Sequence, residues 1–117
     1  MGCFLHALKN YANFADRASR KEYWVFFIVS WVILLVLGGL GFWLGLTPLL
    51  VVAGIVLLVL LVPSIAIAVR RLHDAGYSGW WYLLVLVPYV GFIVPFIIGF
   101  LSPTPGPNQY GDSAPEC

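Results

Sequence analysis

The stretch that decides the fold is Arg70-Arg71-Leu72-His73-Asp74-Ala75-Gly76-Tyr77-Ser78-Gly79-Trp80-Trp81. It is the only charged stretch between Glu22 and Asp112, and long apolar segments flank it on both sides. Residues 23 to 69 contain no Asp, Glu, Lys or Arg, and neither do residues 75 to 111. Each block exceeds the ~20 apolar residues that cross a bilayer, and the first is long enough to cross twice.

Composition says the same. Charged residues make up 9% of the 117, and hydrophobic residues 62%. A water-soluble domain carries about 25% charged residues, so this chain could not cover a solvated surface. The expected solvent is lipid. A net charge of +1 offers no basic stripe to neutralise phosphates, which excludes nucleic acid as a partner.

Working back from the hinge, the second span covers about residues 49–69. Pro63 within it cannot donate to the carbonyl of Val59, so a kink is expected. Ser64 and Ala68 form a small-xxx-small pair suited to close helix packing. Leu46-Thr47-Pro48 makes a tight reversal, with Thr47 fitting an N-cap and Pro48 the first helical position. The first span is then about residues 24–44, running antiparallel to the second and ~31 Å long. Gly41 and Gly45 near its end serve either helix packing or helix termination. Ser19-Arg20-Lys21-Glu22 has the form of a capping box, and Tyr23-Trp24-Val25-Phe26-Phe27 supplies an aromatic belt. Before it, Phe4, Leu5, Leu8, Tyr11, Ala12 and Ala15 recur at helical spacing. They predict a short interfacial helix over about residues 4–15, the alternative being a frayed polar arm.

Forward of the hinge, Gly76 fits a helix C′ position, Ser78 an N-cap, and Trp80 with Trp81 a second belt. Residues 80–101 are long enough to span. Pro88 and Pro95 interrupt them, so Pro88-Tyr89-Val90-Gly91 could equally be the turn of a re-entrant hairpin. Residues 102–117 carry three prolines within five positions and predict an extended tail. Lys and Arg cluster before the first span and in the hinge, so the positive-inside rule places the N-terminus and the hinge in the cytoplasm. Three spans would put the tail outside, whereas a re-entrant third segment would put it inside.

The charged residues would share one membrane face. Arg17, Arg20, Lys21, Arg70, Arg71, His73 and Asp74 are the candidate partner- or lipid-binding residues. Three readings stand: a headgroup site built on guanidinium groups, an ion-pair network joining the N-terminal segment to the hinge, or charges that only set topology. Arg70 and Asp74 are spaced to pair on one helical face. His73 beside Asp74 suggests a proton relay, but the apolar segments supply no ionisable partner at depth. Ser30 and Ser64 likewise have no histidine or carboxylate at their depth to activate them. No catalytic, cofactor-binding or metal-ligating residue is assigned. Cys3 and Cys117 read as two unrelated thiols rather than a disulfide or a metal pair with His6 or His73.

Several motifs together resemble the bacterial family catalogued as "domain of unknown function 805". They are Arg17-Ala18-Ser19-Arg20-Lys21-Glu22-Tyr23-Trp24, Pro63-Ser64-Ile65-Ala66, Val69-Arg70-Arg71-Leu72-His73-Asp74, Gly76-Tyr77-Ser78-Gly79-Trp80-Trp81 and Pro105-Gly106-Pro107-Asn108-Gln109-Tyr110-Gly111. The resemblance covers residues from about Leu5 to Gly111 and implies a bacterial inner (plasma) membrane location. It supplies no activity or catalytic residue. The expectation is a single all-α integral-membrane domain over residues 1–117: an interfacial helix, two antiparallel spans and a third, proline-containing segment. The functional expectation is a non-enzymatic protein that contacts membrane lipids and binds a partner or lipid headgroup through its charged face. The alternative is a subunit of a small oligomeric transporter or channel, formed as a homo-oligomer.

Overall fold

The computed structural model describes residues 2–111 and residue 114. Their regular structure is helical apart from an isolated bridge between Asn108 and Gly111.

Helix α1 is Gly2–Lys9, shorter than the residues 4–15 expected, because Asn10 to Asp16 turn on their own side chains instead. Asn13 Oδ1 accepts from the amides of Ala15 and Asp16, a competition with helix that asparagine makes readily. Cys3, Phe4 and Ala7 face inward, and Phe4 stacks on Phe26 at 5.4 Å between ring centroids. Cys3 is buried and is not a free thiol, which corrects the reading of unrelated thiols; Cys117 lies outside the described residues.

Helix α2, Arg20–Trp43, begins at the capping box. Ser19 is extended and its Oγ accepts the Glu22 amide at 3.1 Å. The reciprocal half of the box is not made, because the Glu22 carboxylate turns to Arg70 and His6. At the far end the two glycines divide their duties. Gly45 takes φ +66° and ends the helix, with the Leu46 amide donating to Gly41 O at 2.8 Å, a Schellman closure. Gly41 is a point of close approach: a Cβ there would meet Leu49 and Leu50 at 3.1 Å.

Helix α3, Thr47–Asp74, follows at once. Its N-cap is Leu46 rather than Thr47, so Thr47 and Pro48 each sit one position further in than expected. Pro48 is still within the first turn, where its missing amide costs nothing. Beside the internal Pro63, Ser64 Oγ donates to Leu60 O at 2.6 Å. The helix ends in a second Schellman closure at Gly76, φ +84°, where the Tyr77 amide reaches Leu72 O at 2.9 Å.

At 24 and 28 residues, α2 and α3 are ~36 and ~42 Å long, enough to cross a ~30 Å hydrocarbon core. Their outer faces carry exposed Ile28, Leu35, Leu58 and Val59, while the largest fully buried side chains are Arg70, Arg71, Ile67, Glu22 and Asp74. Apolar outside and ionic inside is untenable in water over surfaces this large. It is the arrangement that lipid rewards.

The third segment is not one helix. A 3-10 helix, Gly79–Leu86, leads to a tight turn and then to α4, Val90–Phe100. At the turn Tyr89 has φ +68° and the Val90 amide donates to Pro88 O at 2.8 Å, the i→i+2 bond of a γ-turn. Both ends of this hairpin lie at the C-terminal end of α3. Gly79 abuts Val69 and His73, while Leu101 O accepts from Arg71 and the Thr104 amide donates to Asp74 O at 2.7 Å. Gly91 and Phe92 line a common cavity with Phe27 and Trp31, so the tip reaches the level of mid-α2. Residues 80–101 thus fold as a hairpin rather than as one continuous helix, the shape of the re-entrant alternative. Pro88 marks the break: it follows the end of the 3-10 arm and has no amide with which to carry that arm onward as a helix, whereas Pro95 is accommodated inside α4.

Candidate functional site

The last four carbonyls of a helix have no partner within it, and at the α3 terminus they organise the site. His73 O accepts the Gly76 amide and Asn108 Nδ2, the latter at 2.9 Å. Asp74 O accepts the Thr104 amide and Arg17 Nη2. Arg70 O, one turn earlier, takes the Ala18 amide at 3.0 Å. Segments before α2 and after α4 therefore serve as the C-terminal cap of α3. Residues 104–111, expected only as part of an extended tail, fold back over the hinge.

Three ion pairs and a histidine–carboxylate contact fill the space beneath this cap. Arg17 binds Asp74 Oδ1 through Nε and Nη2, each at 2.9 Å. Arg71 Nη1 takes the other oxygen of the same carboxylate at 3.0 Å. Arg70 Nη1 pairs with Glu22 Oε2 at 2.9 Å, and His6 Nδ1 lies 2.9 Å from Glu22 Oε1. The Arg70–Asp74 pair expected from helical spacing is not formed: Arg70 reaches across to α2, and Asp74 is taken by Arg17 and Arg71. Arg17 spends its remaining N–H groups on backbone, donating to Gly106 O at 2.8 Å, Thr104 O at 2.9 Å and Gly111 O at 3.2 Å. Only a guanidinium fork reaches so many acceptors at once.

His73 does not act with Asp74. Its Nδ1 lies 3.2 Å from both Ala15 O and Asp16 O, and its ring stacks on Tyr110 with centroids 3.9 Å apart. The histidine is thus held between the N-terminal segment and the tail.

Of the seven candidate residues, Arg17, Arg70, Arg71, His73 and Asp74 come together and are buried, whereas Arg20 and Lys21 are exposed. Sequence reasoning missed Glu22 as the acid for Arg70, and it missed Thr104, Asn108 and Tyr110 altogether. Glu22 was legible as a cap and as one acid of the shared charged face, but nothing singled out Arg70 as its partner. Asn108 and Tyr110 stand in one of the motifs carrying the family resemblance and Thr104 just before it, but their spacing gave no reason to place them at the hinge. Three guanidinium groups meet two carboxylates here, and Arg70 Nε, Arg70 Nη2 and Arg71 Nε are buried without a protein partner. Among the described residues, no group of three or more His, Cys, Asp or Glu is arranged to hold a metal ion.

Two helices long and apolar enough to cross a bilayer, a short helical hairpin and an ionic clasp closing one end define a small helical integral membrane protein. The chain belongs to the family described as "Protein of unknown function (DUF805)", whose model matches residues 11–112. It is 38% identical over 112 residues to inner membrane protein YhaI of Escherichia coli (strain K12), covering 96% of this chain and 94% of that one. To inner membrane protein YhaH of the same strain it is 38% identical over 117 residues, covering 95% and 94%. A more distant relative there, "Uncharacterized protein YiiR", is 31% identical over 125 residues and covers 85% and 84%. No solved structure matches.

Proposed function

We propose that this is a binding rather than a catalytic membrane protein, which engages anionic lipid headgroups at its cytoplasmic face through Lys9, Arg20 and Lys21. The observation that carries this reading is a division among its six Lys and Arg side chains. Arg17, Arg70 and Arg71 are buried in ion pairs, and Lys9, Arg20 and Lys21 remain exposed. Arg20 and Lys21 open α2, where the helix dipole is itself positive. Side chain and dipole therefore attract the same anion. Exposed Leu5, Tyr11 and Phe14 flank the rim, giving α1 and the loop after it the apolar side of an interfacial anchor. The buried pairs serve this face by fixing α1, α2 and the hinge relative to one another.

The basic bias of this end supports a cytoplasmic placement. Native mass spectrometry of the detergent-solubilised chain tests the reading. Phosphatidylglycerol should be retained in preference to phosphatidylcholine, and the variant with Lys9→Gln, Arg20→Gln and Lys21→Gln should lose that preference while staying folded. Equal retention of the two lipids by the wild type, or an unchanged preference in the variant, removes the proposal.

A further inference from the structure

Between α2 and α3, at the depth of Ser30 and Ser64, lies a cavity of about 210 Å³. Tyr82 and Pro95 of the re-entrant hairpin form part of its wall, and the half-exposed Trp31, Leu57 and Leu61 border it toward the bilayer. Its lining contains no Asp, Glu, Lys, Arg or His. One feature of the lining is out of place. The hydroxyl of Ser30 is buried, with the residue 7% exposed, and has no hydrogen-bond partner.

A serine in a lipid-embedded helix ordinarily satisfies its hydroxyl by donating to the carbonyl four residues back. Ser64 on the opposite wall does so, to Leu60 O at 2.6 Å. Ser30 does not. An unmatched hydroxyl in a low-dielectric interior is costly, and a ligand atom accepting its hydrogen bond would remove that cost.

We infer that this cavity is an intramembrane site for a neutral ring compound bearing a carbonyl oxygen, of the quinone class. Neutrality follows from a lining without charge. A ring follows from the walls, where Tyr23, Phe26, Phe27, Trp31 and Tyr82 offer aromatic surfaces, and from size: a ~150 Å³ apolar cavity already admits benzene. The carbonyl follows from Ser30, whose hydroxyl would donate to it. Substituents longer than the cavity would leave through the side bordered by Trp31 and Leu61, into lipid.

The test is a titration of the full chain in nanodiscs with duroquinone, followed by quenching of tryptophan fluorescence. Quenching should saturate in the wild type. Ser30→Ala should weaken binding about five- to tenfold, the weight of one hydrogen bond. Ala68→Leu keeps the hydroxyl and fills the cavity, so it should abolish saturation. Durene, the same methylated ring without oxygens, should compete at least tenfold more weakly. Quenching that rises linearly and equally in wild type and Ser30→Ala would mean partition into the bilayer only. Durene competing as well as duroquinone would make the cavity a greasy void open to acyl chains. Either result overturns the assignment.

Discussion

Arg70 and Glu22, 48 positions apart in sequence, meet at 2.9 Å with both side chains almost wholly withdrawn from their surroundings. The pair joins the start of α2 to the last turns of α3. Its energetics are asymmetric. Assembling a buried pair gains little net free energy, but removing one member strands the other in a medium that cannot solvate it.

Glu22→Gln should therefore destabilise the chain by about 3 kcal/mol or more, because Arg70 already has two unpartnered N–H groups. Adding Arg70→Met should recover more than half of that loss, since no stranded charge remains. Thermal unfolding in detergent, followed by circular dichroism, measures both. A double variant less stable than the single one would show that the pair is not an isolated unit.

Arg17→Lys keeps the charge and loses the fork. Lysine can follow Asp74 but cannot also reach Thr104 O, Gly106 O and Gly111 O. Amide exchange across residues 104–111 should accelerate at least tenfold, about 1.4 kcal/mol of local opening free energy. Exchange in the middle of α2 and α3 should not change. Uniform acceleration throughout would mean that the tail and the helical pair open together.

Gly91→Ala and Gly38→Ala separate close packing from helix propensity. A Cβ at Gly91 would overlap the Val85 carbonyl oxygen across the hairpin turn, while one at Gly38 meets nothing within 4 Å. The first substitution should cost about 2 kcal/mol or more, and the second should cost nothing or stabilise slightly. Equal effects in thermal unfolding would contradict the doubling back of residues 85–91.

Two crossings would put both termini on one side, so a cytoplasmic C-terminus is expected. A fluorescent protein fused after the last residue should fold and glow in intact cells, and alkaline phosphatase at the same place should be inactive. Active phosphatase would place the tail outside and require a third crossing.

Local chemistry made part of this fold readable. Gly76 and Gly45 end helices because only glycine accepts their positive φ cheaply, and Ser19 begins one for equally local reasons. The length of the first apolar block, residues 23 to 69, made its two long helices readable. The clasp was less legible because its partners lie far apart: Arg17 and Asp74 are separated by 57 positions, and Arg17 and Gly111 by 94. Helical periodicity instead proposed Arg70 with Asp74, a pairing that tertiary geometry overrode. Prolines 88 and 95 announced an interruption in the third segment but not its direction. That depended on what the far end could bind, and what it binds is the α3 terminus.

The clasp also has an order of assembly. A ribosome delivers Arg17 first, Asp74 57 residues later and Gly111 94 residues later, so the closing bonds wait until residue 111 has been made. Until then the guanidinium of Arg17 and the final carbonyls of α3 stay open to the watery boundary. A prematurely released chain would possess both crossings and still lack its seal, giving proteases at that surface a physical means to tell unfinished copies from finished ones.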